Sequence, residues 1–352
     1  MRSWKQIVMS LLIASIVASC SGKGTQTQGQ SSTPAASGGQ VTGAGSSFVF
    51  PIMSKWTDEY MKTKPGTQIN YQSIGSGAGI QQVTAGTVDF GATDGPMTDE
   101  QLKDSKIGAV LHVPVIMGAS VVAYNLPGVT GELRLTPALL AGIYLGKVTH
   151  WNDPAIQKVN PGVALPNLAI LVVHRADGSG TTYIWTDYLS KVSPEWKTKV
   201  GTNTAVSWPT GVGAKGNDGV AGNIRTSPGA IGYVEMTYAD QNNIPYAGIQ
   251  NAAGNFVRPS TDGVTAAAAS AQIPDDFRYS LTNPSGPDAY PIAGTTWLLI
   301  PVNPSDKSRQ KVVVDFANWI LTAGQSFAPA LHYAPLPPAL VTRVQQSLAQ
   351  LQ

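Results

Sequence analysis

At 352 residues, with 42% hydrophobic and only 12% charged residues, the chain is long enough for two domains and too apolar to stay disordered. A formal charge of +2 beside 37 glycines gives no basic face of the kind that binds nucleic acid. The first predicted element is a leader. Arg2 and Lys5 precede an apolar run from Ile7 to Ala18, 12 residues, too short to span a bilayer as a helix. That length suits the apolar core of a secretory signal. Its removal takes Arg2 and Lys5 from the 23 basic residues and leaves 21 of each sign, so the mature chain is formally neutral.

The run ends at Val17-Ala18-Ser19-Cys20, which resembles the lipobox of a bacterial lipoprotein signal. The resemblance implies cleavage after residue 19 and acylation of Cys20. An ordinary leader with a bystander cysteine is the other reading. The lipoprotein reading is preferred because Cys20 is the sole cysteine and has no disulfide partner. Several acyl chains would hold the protein stably at a membrane. Ser21 to Gln40 contains no large apolar residue, so 20–40 is expected to be a flexible tether.

From Val41 the pattern alternates short strands with helices. Ile69–Ile74 alternates apolar and polar residues, Val88–Ala92 is a second short strand, and Val110–Tyr124 is a longer apolar stretch interrupted by Pro114 and Gly118. Leu168–His174 reads as a strand buried on both faces. Phe50, Met53, Trp56 and Tyr60 share one helical face. So do Ile184, Tyr188 and Val192, with Trp185 and Leu189 beside them, and Val312, Phe316, Trp319 and Ile320. The alternation predicts an α/β fold with mostly parallel sheets.

Three junctions share one design. Val41-Thr42 runs into Gly43-Ala44-Gly45-Ser46-Ser47-Phe48. The strand ending at Ile74 runs into Gly75-Ser76-Gly77-Ala78-Gly79. The strand ending at His174 runs into Arg175-Ala176-Asp177-Gly178-Ser179-Gly180-Thr181-Thr182. Free amides at a helix start, glycines that allow close approach and hydroxyl donors together make an anion site. One such junction alone reads better as a capped turn; three, one carrying Arg175, favour an anion. Arg175 paired only with Asp177, and Asp94 capping the turn before Gly95-Pro96, are the structural alternatives.

Known phosphate-cradle and nucleophile motifs are absent. There is no Gly-x-x-x-x-Gly-Lys-Ser/Thr run, and neither Ser76 nor Ser179 has the Gly-x-Ser-x-Gly spacing of a nucleophile elbow. His112, His150, His174 and His332 show no metal spacing. No cofactor and no metal are expected.

The stretches 42–48, 70–77, 88–94, Ile143-Tyr144-Leu145-Gly146-Lys147, 175–181, Lys215-Gly216-Asn217-Asp218-Gly219 and Pro228-Gly229-Ala230-Ile231-Gly232-Tyr233-Val234-Glu235 resemble the phosphate-binding protein of the bacterial high-affinity phosphate ABC transporter. The similarity runs from about Val41 to the C-terminus. It implies a two-lobed periplasmic-binding-protein fold of type II, with two mostly parallel-sheet lobes joined by two crossing strands near 114–118 and 290–295. Lobe I would comprise 41–116 plus 292–352, and lobe II 117–291. Phosphate would lie between them.

Carried over position by position, the resemblance implies phosphate contacts from Ser47, Phe48, Ser76, Asp94, Arg175, Ser179, Gly180 and Thr181, with Asp177 positioning Arg175. Ser47 stands where many relatives have Thr. The implied partners are inorganic phosphate and the transmembrane permease subunits. The implied protein is an exported, periplasmic or cell-surface monomer, not an enzyme, touching the membrane only through Cys20. The physics agrees. A buried oxyanion needs nearly every lone pair satisfied, and Asp94 makes sense only if the guest carries a proton. Phosphate has one at neutral pH and sulfate has none, so a site built on that bond rejects sulfate by roughly 10⁴–10⁵. The alternatives are a phosphatase, or a binder of another protonated oxyanion such as arsenate.

Overall fold

The computed structural model describes residues 39–351; the leader, Cys20 and nearly all of the 20–40 tether lie outside the described residues. β1 (Gln40–Gly45) leads into α1 (Phe50–Thr63), and β2 (Gln68–Ser73) into α2 (Ser76–Thr84). β3 (Phe90–Thr93) and α3 (Asp99–Lys103) precede β4 (Val110–Tyr124), then β5 (Arg134–Leu135), α4 (Pro137–Tyr144) and α5 (Pro154–Val159). β6 (Leu171–Arg175), α6 (Gly180–Val192), α7 (Pro194–Lys199), β7 (Val212–Ala214), α8 (Gly216–Thr226), β8 (Ala230–Glu235) and α9 (Met236–Gln241) follow. The chain ends with β9 (Gly248–Gln250), β10 (Phe256–Val257), α10 (Thr261–Ala269), β11 (Ala293–Pro301), α11 (Lys307–Leu321), two 3₁₀ turns and α12 (Pro338–Ala349).

One sheet of eight strands runs β2-β1-β3-β11-β4-β8-β6-β7. Its two ends are parallel: β1 with β2 and β3, and β6 with β7 and β8. The middle is antiparallel, β3-β11-β4-β8. This is the α/β, type II periplasmic-binding-protein fold that the sequence resemblance implied.

β4 serves both ends of the sheet. Residues 110–119 pair with β11, and Ser120–Tyr124 pair with β8. The expected interruptions do not break it. Pro114 lies opposite Trp297 and Ile116 opposite Thr296, so Val115 is left over as a bulge. Proline has no N–H for the ladder, and a bulge is where a sheet tolerates it. Gly118 stays in the strand opposite Gly294, and the place admits no side chain, since a Cβ there would meet the Phe48 ring at 2.7 Å.

Two smaller expectations shift. The strand expected from Val88 begins at Phe90, and the one expected from Leu168 begins at Leu171. Residues 168–170 first bond to 149–151, through Trp151 N to Leu168 O at 2.9 Å and Ile170 N to Thr149 O at 2.8 Å. In α1 the buried face is Ile52, Met53, Trp56 and Tyr60; Phe50 is exposed and stacks on Tyr71. Behind β6 and β8 lies an aromatic cluster. Trp185 stacks on Tyr233 at 5.1 Å, Tyr144 packs on Trp185 at 4.8 Å, and Trp208 stacks on both Tyr233 and His174. No helix among the described residues is long and apolar enough to cross a membrane.

Candidate functional site

All three glycine- and serine-rich junctions reach one buried place. Ser76 is the first residue of α2, after Gly75 at φ 91°. Ser179 is the N-cap of α6, its hydroxyl accepting from Thr182 N at 3.1 Å. The two loops touch through their backbones: Gly77 N donates to Gly178 O at 2.9 Å. A Cβ on Gly75 would collide with the Asp177 carboxylate and with Gly178 O at 2.7 Å, so only glycine fits there. Gly180 is as tightly held, since a Cβ there would come within 2.5 Å of Asp94 N and 2.6 Å of Ser76 Oγ. Ser76, Asp94, Ser179, Gly180 and Thr181 are thereby brought together, and all are buried.

Asp94 follows β3 and is the centre of a ring of hydroxyls. Ser46 Oγ donates to it at 2.6 Å, Thr296 Oγ1 at 2.7 Å and Ser76 Oγ at 3.4 Å. Burial pushes its carboxyl up to about 6. Ser46, Thr296, the Arg175 charge and Ser76 pull the other way. The group is therefore an acceptor held ionised near neutral pH against its desolvation.

Arg175 ends β6 and is 3% exposed. Its Nε donates to Asp177 Oδ1 at 2.7 Å and its NH2 to Asp177 Oδ2 at 2.5 Å, a two-pronged pair. NH1 faces Thr181 Oγ1 at 3.4 Å. Burial works against the Asp177 charge, but Arg175 and the Gly216 amide together hold its carboxyl below the ordinary value. The pair expected as a structural alternative thus exists. It also sets the guanidinium's remaining edge toward Thr181.

A second bridge completes the arrangement. Asn217, second residue of α8, donates from its side chain to Ser47 Oγ at 2.9 Å and Thr181 Oγ1 at 3.1 Å, and from its amide to Ser47 Oγ at 3.2 Å. Phe48 is buried, and its amide donates to Ser46 Oγ at 3.0 Å. Tyr238 OH holds Ser47 O at 2.7 Å and Tyr333 OH holds Phe48 O at 2.6 Å. Four helix starts, those of α1, α2, α6 and α8, therefore converge on residues 47, 76, 94, 175 and 181.

Three contributors escaped the sequence reading: Ser46, Asn217 and Thr296. Asn217 lay within a matched stretch but carried no role. Thr296 sits beside Thr295 in a strand buried along its whole length, with no charged residue nearby in the sequence to signal a site. Cys20 is outside the described residues. Among those residues no three His, Cys, Asp or Glu side chains group as a metal site would require. His112 is instead buried, with its Nε2 accepting from Met97 N at 3.1 Å, and burial lowers its pKa to about 4.

The arrangement can enclose a small tetrahedral anion. It offers a guanidinium edge, helix-start amides and several hydroxyls, and one carboxylate that repels any guest lacking a proton.

Comparison with known proteins gives the same direction. The family model described as the PBP superfamily domain matches residues 30–323. A phosphate-binding protein PstS of Xylella fastidiosa is 47% identical over 309 residues, covering 87% of this chain and 84% of that one. A protein of the same description from Pasteurella multocida is 47% identical over 308 residues, covering 87% and 88%. Among solved structures, a high-affinity periplasmic phosphate-binding protein bound with phosphate superposes with a TM-score of 0.71 at 20% identity, covering 88% of this chain and 94% of that one. At that identity it speaks for the fold. With near-half identity sustained along almost the whole of both sequences, the chain belongs to the PstS phosphate-binding proteins of the PBP superfamily.

Proposed function

We propose that this protein captures inorganic phosphate and delivers it to the permease of an ABC importer. The observation that carries the reading is Asp94, a buried carboxylate fixed by hydroxyl donors beside a charged guanidinium. A carboxylate there serves an anion only if that anion brings hydrogen. In the finer reading, phosphate is held by Ser47, Phe48, Ser76, Asp94, Arg175, Ser179, Gly180 and Thr181. Two lobes, 41–116 plus 292–352 and 117–291, close on it about residues 114–118 and 290–295. The shared strand β4 supports that division, since its pairing changes from β11 to β8 at Ala119–Ser120. The mature monomer is exported and held to the membrane by acyl chains on Cys20.

Binding is the whole task. A phosphatase would need a nucleophile with its own base or a metal. Ser179 Oγ accepts from the Thr182 amide as the cap of α6, and Ser76 lies 3.4 Å from a carboxylate already engaged at 2.6–2.7 Å by Ser46 and Thr296. Calorimetric titration of the mature protein should give a phosphate Kd of about 1 μM or tighter, competition by arsenate, and no heat from sulfate near neutral pH. Equal affinity for sulfate would refute the assigned role of Asp94, and turnover of a chromogenic phosphate ester would refute the non-enzyme reading.

A further inference from the structure

Ser46 lies outside the expected contacts, yet it is wholly buried and makes the shortest hydrogen bond to Asp94. A hydroxyl has one hydrogen and two lone pairs. Two backbone amides at the start of α1 point their hydrogens at this oxygen, Phe48 N at 3.0 Å and Val49 N at 3.4 Å. The hydroxyl's own hydrogen is thereby turned toward the carboxylate, 2.6 Å from Oδ2 and 2.7 Å from Oδ1. Ser46 itself cannot drift. Its amide donates to Ala92 O at 2.9 Å, and its carbonyl accepts from Tyr71 OH at 2.8 Å.

The backbone thus fixes the polarity of this bond. A donor locked onto a carboxylate favours the ionised form. Of the charged and titratable groups around Asp94, Arg175 on β6 acts the same way. Asp177 is engaged by Arg175. Tyr71 on β2 and Tyr238 on α9 are phenols that burial keeps protonated. Ser46 is the first of the groups that oppose desolvation.

We propose that Ser46 is a positioning residue for specificity: its fixed donor holds Asp94 as an acceptor and so sets the pH below which the cleft admits a tetrahedral anion without hydrogen. The proposal rests on reading the cleft as the phosphate site. The sign follows directly. Above its pKa Asp94 is ionised and repels sulfate. Below it the carboxyl carries a proton that sulfate can accept. Removing the Ser46 donor moves that change to higher pH.

The test is calorimetric titration of sulfate and phosphate from about pH 5 to about pH 8. Wild type should begin to bind sulfate as pH falls through about 6. In Ser46→Ala the onset should rise by about one pH unit. Ser46→Thr, which keeps the hydroxyl, should restore the wild-type profile, and Asp94→Asn should bind sulfate without pH dependence. Ser46→Cys keeps bulk with a weaker donor and should fall between, which covers the case of a poorly folded alanine variant. A wild-type sulfate profile in Ser46→Ala or Ser46→Cys overturns the proposal. Wild-type protein that binds no phosphate at any pH overturns the reading of the cleft instead.

Discussion

In the proposed site Arg175 has two jobs, donating to the anion and holding Asp177. Its pair with Asp177 is nearly dry, with the arginine side chain 1% and the aspartate 15% exposed. Truncation would remove a charged donor from the cleft and leave Asp177 without its main partner. A charge-assisted bond contributes about 1.5–3 kcal/mol, and an orphaned buried charge costs about 3–5 kcal/mol. Arg175→Ala should therefore weaken phosphate binding by roughly 10²-fold or more and lower the unfolding midpoint. Arg175→Lys should recover the charge but not the two-pronged geometry, and bind only partly better. An unchanged isotherm in Arg175→Ala would remove this residue from the site. Arg175 and Asp177 were readable because they sit two positions apart beside a Gly-Ser-Gly turn. Ser46 and Asp94 are separated by 48 positions, and Asp94 and Thr296 by 202. Nothing in a chain rich in serine and threonine singles out those two hydroxyls. Their meeting follows from β1, β3 and β11 lying side by side.

Among the elements, the helix starts form the proposed site and are shaped by what cannot be added to them. Gly180 opens α6 in ordinary helical backbone, so conformation does not demand glycine there. Space does, because the Asp94 amide and the Ser76 hydroxyl occupy the place a methyl would take. Gly222, inside α8, has nothing within 4 Å of its Cβ position. The two positions make a matched test. Gly222→Ala should raise stability by about 0.5–1 kcal/mol and leave binding alone. Gly180→Ala should reduce phosphate affinity at least tenfold, read by the same titration, despite the better helix former. The junctions themselves were legible from sequence, since strand, Gly/Ser turn and apolar helix face each leave a local pattern. The course of β4 was not. Pro114 and Gly118 read as interruptions, and only the opposing β11, with its register shift between Thr296 and Trp297, makes room for them.

Across the whole molecule a second buried carboxylate ties distant segments together. Glu235, wholly buried at the end of β8, donates its amide to Asn217 Oδ1 at 2.9 Å and accepts from Thr237 N at 2.9 Å. Thr237 Oγ1 reaches Leu331 O at 2.7 Å, and Tyr333 reaches Phe48 O. Burial raises the Glu235 carboxyl well above its ordinary value, with the charge of Asp240 adding to it and the hydrogen bonds of Thr237 and Tyr333 opposing. Folding therefore favours the protonated acid. Its stabilising share is complete below the unfolded value of 4.5 and is lost as pH climbs toward the folded one. Asp94 follows the same sign between 3.8 and about 6. Glu235→Gln has no charge to bury, so urea unfolding of phosphate-free protein should show it gaining on wild type from about pH 5 to about pH 8. A difference that stays flat with pH would remove Glu235 from that account. The aromatic cluster has a practical consequence. Tyr233 OH sits 3.1 Å from the Arg175 amide and 2.6 Å from Thr182 Oγ1, while its ring lies flat against Trp185. In the proposed site only Tyr233 and Arg175 stand between this indole and the anion, so tryptophan emission should follow a phosphate titration without any attached dye.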